Sequence, residues 1–228
     1  MKDRKDRNNK LHVNNKVLII TGGRTNDVFL AERLRQQTYS MIIAVDHGLE
    51  AADRLKITPD FIVGDFDSVS EAVLRKYRES STPMETFPRE KDKTDTQIAI
   101  ELALTHNADS IELTGATGSR LDHTLANLHL LLLPLRLKLE ACILDENNKI
   151  YLKDSSFIIE RGRQYGDYVS LLPFGEKVEG LTLKGFKYPL DSIVLEAGSS
   201  LGISNEVIEE TASIEFYNGV LLVIESRD

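Results

Sequence analysis

The sequence predicts an N-terminal α/β domain built on a Rossmann-like parallel sheet, followed by a C-terminal β-sandwich. From Lys16 to about Glu146, short β-branched runs alternate with amphipathic stretches, the rhythm of parallel strands joined by crossover helices. After Asn147 short strands follow one another at close, regular spacing, separated by Gly, Pro, Asn and Asp, as in a sandwich or small barrel. The chain therefore divides into a polar tail over residues 1–15, an α/β domain over 16–146 and a β-rich domain over 147–228, with the boundary near Asp145 to Lys149.

The expected strands of the first part are Val17 to Ile20, Met41 to Val45, Phe61 to Gly64, Ser110 to Thr114 and Glu140 to Leu144, with a weaker run at Met84 to Phe87. Helices fill the intervals. In the second part strands are expected at Ile150 to Lys153, Phe157 to Glu160, Tyr168 to Leu172, Val178 to Leu183, Ile193 to Leu195, Ser213 to Tyr217 and Val220 to Glu225. No internal repeat or low-complexity segment interrupts them.

Composition narrows the function. The 228 residues, 41% of them apolar, suffice for a substantial core. Acidic residues outnumber basic ones 36 to 28, a formal net charge of −8, which repels a phosphate backbone at long range and argues against nucleic-acid binding. A cationic ligand, or an anionic one bridged by metal ions, fits better. Cys142 is the only cysteine, so an intrachain disulfide or a zinc–thiolate cluster is ruled out, pointing to a reducing compartment. The basic tail, with Lys2, Arg4, Lys5, Arg7 and Lys10, lacks a signal-peptide core and is expected to be disordered or loosely docked. The apolar stretch from Leu125 to Leu139 is broken by Asn127, His129, Pro134, Arg136 and Lys138, too short and polar to span a bilayer. A soluble cytoplasmic protein is expected.

Ligands of open α/β sheets sit beyond the carboxyl ends of the strands, and acidic clusters recur there. Asp46 follows the second strand in Val45-Asp46-His47-Gly48; Asp65 and Asp67 follow the third in Gly64-Asp65-Phe66-Asp67-Ser68. Asp92 and Asp95 open a helix in Lys91-Asp92-Lys93-Thr94-Asp95-Thr96-Gln97, and Arg120 and Asp122 open another after Gly115-Ala116-Thr117-Gly118-Ser119. Converging carboxylates repel one another unless a cation neutralises them, and an Asp-x-Asp pair with no thiolate beside it suits magnesium. The glycine-rich turn offers backbone N–H groups to phosphate, with Arg120 as a forked donor.

Each motif alone has a plainer meaning. An isolated Asp-x-Asp can be a solvated turn, Thr94-x-x-Gln97 a capping box, Asp95 a helix-dipole partner, and the glycines a steric need. His123 and His129 read as capping or packing residues. Ser68 lacks a nucleophile elbow and Cys142 lies in an apolar strand, which disfavours covalent catalysis. Neither a P-loop nor a G-x-G-x-x-G fingerprint is present. What favours chemistry is the joint placement at successive strand ends.

With Pro59-Asp60-Phe61-Ile62-Val63 leading into the third-strand motif, and with Gly202-Ile203-Ser204-Asn205 near the end, the chain resembles the thiamine pyrophosphokinase family from about Val17 to the C-terminus. The resemblance implies transfer of the β,γ-diphosphate of ATP to the hydroxyl of thiamine, with Mg²⁺ as cofactor, and a homodimer whose active sites lie between subunits. It makes Asp65, Asp67 and Asp95 the magnesium ligands and catalytic residues. Asp46, Lys91, Asp92, Gly118, Arg120 and Asp122 fall to the ATP site; Tyr188, Ser204 and Asn205 to the thiamine site. Two positions depart from the family's pattern: His47 stands where glycine is frequent, and with no tryptophan in the chain, ring stacking falls to Tyr188. The alternatives are a phosphohydrolase using the same aspartates to activate water, and a noncatalytic nucleotide or thiamine sensor.

Overall fold

The computed structural model describes residues 15–86 and 92–228. The expected tail and Lys91 lie outside the described residues, apart from Asn15, which is bonded to Asp109, His106 and Asn107.

The first part alternates strictly: β1 (Lys16–Ile20), α1 (Asp27–Gln36), β2 (Met41–Val45), α2 (Gly48–Arg54), β3 (Phe61–Gly64), α3 (Glu71–Arg78), β4 (Met84–Thr86), α4 (Asp95–Thr105), β5 (Ser110–Thr114), α5 (Leu121–Leu130), α6 (Leu132–Arg136) and β6 (Glu140–Leu144). Seven strands follow: β7 (Asn148–Lys153), β8 (Phe157–Glu160), β9 (Tyr168–Pro173), β10 (Lys177–Lys184), β11 (Leu190–Glu196), β12 (Thr211–Glu215) and β13 (Leu221–Ser226). Helix starts are set by local chemistry. Asn26 caps α1 by accepting from the Val28 and Phe29 amides, and Thr94 caps α4 through the Gln97 amide.

The strands form two sheets. One has nine strands in the order β4-β3-β2-β1-β5-β6-β7-β13-β9, parallel through β6 and antiparallel beyond it; the other runs β11-β10-β12-β8, antiparallel throughout. This is the expected α/β part followed by an antiparallel sandwich, with one addition. The large sheet runs on through the turn at 145–148, so β7, β13 and β9 belong to the same sheet as the parallel strands.

Side-chain alternation along β1 divides the α/β core. Leu18 and Ile20 pack with Leu30, Leu49, Leu74 and Tyr77 of α1 to α3, whereas Val17 and Ile19 pack with Ile100, Ala103 and Leu131 on the other face. A third cluster, with Val169, Leu171, Val178, Leu181, Ile214 and Val223, joins the two sheets of the sandwich. Each fully buried Leu or Ile contributes roughly 1.5–3 kcal/mol by leaving water. Two charges are buried on the sheet, Glu225 on β13 and Glu112 on β5; Glu112 accepts from Arg33 at 3.0 and 2.5 Å, from Lys16 at 2.5 Å and from the Tyr39 hydroxyl. Burial alone would raise its acid, but these three donors hold it below the usual range.

Candidate active site

The connection order of the parallel strands reverses between β1 and β5, and there the loops after both strands interlock. The Thr21 amide donates to Thr114 O, that of Gly23 to Gly115 O and that of Arg24 to Thr117 O, each at 2.8 Å. Only glycine permits this approach. A Cβ on Gly23 would lie 2.2 Å from Gly115 O, and Gly115 itself has φ 67°. Thr117 donates to Asp145 at 3.0 Å and Asn127 to Ala116 O at 2.8 Å, pinning the turn that carries Gly118 toward the start of α5. Residues 21–24 carry no charge cluster and the sequence pointed to no role for them. Their one signal was Gly22-Gly23 directly after the first strand.

The carboxylates converge beside this cradle. Asp46 follows β2 with φ 45°, and its amide donates to Val63 O at 3.0 Å on the neighbouring strand. A Cβ on Gly64 would lie 1.9 Å from Asp46 Oδ1, so the end of β3 is open to this carboxylate only because residue 64 is glycine. That oxygen is buried and, among the described residues, has no hydrogen-bond partner. Burial first, then the facing Asp95 and Asp65 carboxylates, push the Asp46 acid up to about 7. Asp95 is the first residue of α4, and the Asp65 side chain accepts from the Asp67 amide at 3.1 Å. The structure thus brings Asp46, Asp65 and Asp95 together. Asp67 and Asp92 are exposed.

These residues fit a hard cation. An orphaned buried carboxylate oxygen, and an acid raised by burial and by two facing carboxylates, mark a place short of positive charge. Among the described residues no three acidic or histidine side chains make a finished metal cage. Magnesium does not need one, since it takes one or two carboxylates and fills its shell with water and phosphate oxygen.

Arg120 and Asp122 stand at the start of α5, after the glycine-rich turn. The guanidinium grips Asp122 with bonds of 3.2 and 2.5 Å, and both side chains are about two-thirds exposed. The third sequence-flagged group is a compact corner of the sandwich. Asn205 is buried and both polar atoms of its side chain are engaged: Oδ1 accepts from the Tyr188 and Glu206 amides, both at 3.0 Å, and Nδ2 donates to Tyr188 O at 2.8 Å. Ser204 is exposed with φ 55°, its amide tied to Ser170 Oγ at 3.0 Å. Tyr188 is 58% exposed, with the Lys187 ammonium 5.7 Å from its ring centre. The outward groups are therefore Ser204 and Tyr188, and Asn205 holds them.

Register places crevice and corner on one edge of the large sheet. Leu144 at the end of β6 pairs with Lys149, Lys149 with Glu225, Glu225 with Val169, and Val169 with Asn205. The corner is thus on the side of the carboxyl ends of the parallel strands. Yet β2 and β9 are six positions apart, about 29 Å along the sheet at about 4.8 Å per strand. A surface hollow of about 1430 Å³ lies elsewhere, over β5 and β6 between α1 and β8, and neither the crevice aspartates nor Tyr188, Ser204 and Asn205 line it. Cys142 lies in that hollow's floor, its thiol pushed up to about 12 by burial, which leaves no reactive thiolate.

An enzyme of the α/β class, with its acidic crevice at the switch point and an antiparallel sandwich appended, is what fold and site define. Two family descriptions match: "Thiamin pyrophosphokinase, catalytic domain" over residues 33–143 and "Thiamin pyrophosphokinase, vitamin B1 binding domain" over residues 156–221. The thiamine pyrophosphokinase of Bacillus subtilis (strain 168) is 35% identical over 191 residues, 83% of this chain and 89% of the relative. A crystal structure of thiamine pyrophosphokinase from Bacillus subtilis superposes with a TM-score of 0.83 at 31% identity, covering 93% of this chain and 99% of that one. The corresponding protein of Geobacillus thermodenitrificans gives 0.80 at 32% identity, covering 93% and 98%. The chain belongs to the thiamine pyrophosphokinase family.

Proposed function

We propose that the protein transfers the β,γ-diphosphate of ATP to the primary hydroxyl of thiamine, giving thiamine diphosphate and AMP. The observation that carries this reading is the convergence of Asp46, Asp65 and Asp95 beside two interlocked glycine loops at the switch point. Asp65, Asp67 and Asp95 are the residues that would hold Mg²⁺, with Asp46 and Asp92 in the same pocket. Bound there with the nucleotide, the ion supplies neutralisation of phosphate charge. The chain's own groups do the rest. The amides of the glycine-rich turn around Gly118 face the phosphates, Arg120 exchanges Asp122 for a phosphate oxygen, and Lys91 completes the nucleotide side. In-line attack on the β-phosphorus needs the hydroxyl held in place more than it needs a covalent intermediate.

Tyr188 and Ser204 present the thiamine ring, with Asn205 fixing both. The span of about 29 Å along the sheet from β2, which Asp46 follows, to β9, which Asn205 bridges, exceeds what one bound thiamine can cover, so the corner of a second copy completes the crevice of the first. We therefore read the protein as a homodimer with shared active sites. No helix among the described residues is long and apolar enough to cross a membrane, and with a single cysteine we place the protein in the cytoplasm.

Two experiments test this. Purified protein with ATP, Mg²⁺ and thiamine yields AMP and thiamine diphosphate in equal amounts; release of inorganic phosphate or pyrophosphate without thiamine diphosphate overturns the transfer. Mixing inactive Asp67→Asn with a variant inactivated at Ser204 and Asn205 restores activity to about a quarter of wild type, because about half the dimers are mixed and each has one intact site. Exchange proved by mass spectrometry without recovery overturns the shared site.

A further inference from the structure

The acidic loop after β3 is held from outside by two residues of a neighbouring element. Within it Phe66 has φ 62° and is buried with Val69, and the Val69 amide closes a turn onto Phe66 O at 3.3 Å. Apolar packing thus fixes the loop's inner side, and a left-handed residue between Asp65 and Asp67 is a conformation that side-chain-bearing residues keep only when their surroundings impose it. The outer side is met by the start of α2. His47 is the residue before this helix and makes no capping bond; its Nδ1 lies 3.1 Å from Ser68 O. A carbonyl oxygen only accepts, so Nδ1 carries the proton. Three residues on, and so on the same helix face, Glu50 Oε1 accepts from the Ser70 amide at 2.7 Å. His47 also lies against the first glycine loop, since a Cβ on Gly22 would be 3.2 Å from its Cβ.

We propose that His47 and Glu50 are positioning residues that clasp residues 68–70 and thereby set the Asp65 and Asp67 carboxylates in their metal-binding arrangement. The proposal rests on the reading that this loop holds the cation. The two bonds meet opposite ends of one short segment, one at its carbonyl and one at its amide. The segment can then neither rotate about its own axis nor lift from α2. Each side chain acts through the loop, by its bond to Ser68 or Ser70.

The test reads the loop without turnover. In metal-free protein, hydrogen exchange of the amides of residues 67–70 is measured for wild type, His47→Ala, Glu50→Ala and the donor- and acceptor-preserving His47→Asn and Glu50→Gln. Mn²⁺ affinity is measured by electron paramagnetic resonance with a nonhydrolysable ATP analogue, for the same set and for Asp67→Asn. Each alanine variant speeds exchange and weakens Mn²⁺ about fivefold, the effect of one hydrogen bond, and the conservative variants restore both. Unchanged exchange and affinity in both alanine variants, with Mn²⁺ lost in Asp67→Asn, overturn the clasp alone. Weakened affinity that His47→Asn and Glu50→Gln fail to restore also overturns it, since the bonds are then not the cause. Mn²⁺ binding that survives in Asp67→Asn overturns the metal reading and the clasp with it.

Discussion

The acidic crevice and the Asn205 corner lie on one edge of one sheet and are built on opposite principles. In the crevice, one oxygen of the Asp46 carboxylate is buried with no hydrogen-bond partner among the described residues, and the group faces two other carboxylates, so negative charge there is in excess. In the corner every polar atom of the Asn205 side chain is spent on backbone, and residues 188 and 204 to 206 are locked together. One region waits for charge from outside; the other is rigid before anything binds. A site for a metal–phosphate complex needs the first property, and a platform for a ring needs the second.

The sharpest way to break the comparison is to remove one charge from the crevice. Asp67→Asn keeps the fold, because Asp67 is exposed and its backbone bond to Asp65 survives, yet it lowers kcat by at least about a hundredfold. Turnover at saturating magnesium beside a thermal melt decides this, and a folded variant with near-normal turnover removes Asp67 from the metal site. In the corner the same kind of deletion acts on structure. Asn205→Ala strands the Tyr188 and Glu206 amides and costs about 1–3 kcal/mol, read as a lower melting temperature and a raised KM for thiamine with KM for ATP unchanged. Equal effects on both substrates would place the corner's influence beyond thiamine.

Arg120→Ala is the smaller test, at the start of α5. The guanidinium is already paired with Asp122, so binding phosphate exchanges one carboxylate-type partner for another. KM for ATP therefore rises only about tenfold, and KM for thiamine stays. An equal rise in both would argue against a phosphate-side role.

The sequence was most legible where signals are local. Strand and turn residues set β2, β3, β5, β6 and β8 at their expected limits, and Thr94 caps α4 as the Thr94-x-x-Gln97 motif implied, although the Gln97 side chain turns to Glu101 instead of completing the box. His129 packs on Phe174 at 4.8 Å, in keeping with a packing role. Non-local pairings were hidden. That β13, at the far end of the chain, enters the sheet between β7 and β9 depends on register over some seventy residues, which no local period encodes. The same holds for the Gly23–Gly115 interlock and for the His47 bond to Ser68, each joining loops distant in sequence. The Asp46 motif announced a carboxylate at a strand end; that its oxygen lies against Gly64 is a fact of two adjacent parallel strands.

The weakest expected effect isolates the crevice's charge deficit. In the metal-free protein the Asp46 acid lies near 7, above its ordinary value of 3.8, so the native state holds that proton more tightly than the unfolded chain does. Its contribution to stability is complete below about pH 4 and is lost as pH rises toward about 7. Asp46→Asn carries no such proton. Melting temperatures measured in EDTA from pH 4 to 8 should therefore show the variant gaining on wild type up to about pH 7 and running parallel above it. Groups outside the crevice, Glu112 among them, titrate alike in both proteins and cancel in the difference. Adding Mg²⁺ with a nonhydrolysable nucleotide supplies the missing charge to wild type and narrows the gap, since a bound cation favours the ionised carboxylate. Parallel curves across the whole pH range would mean that Asp46 is ionised without help, and that the crevice is as self-sufficient as the corner.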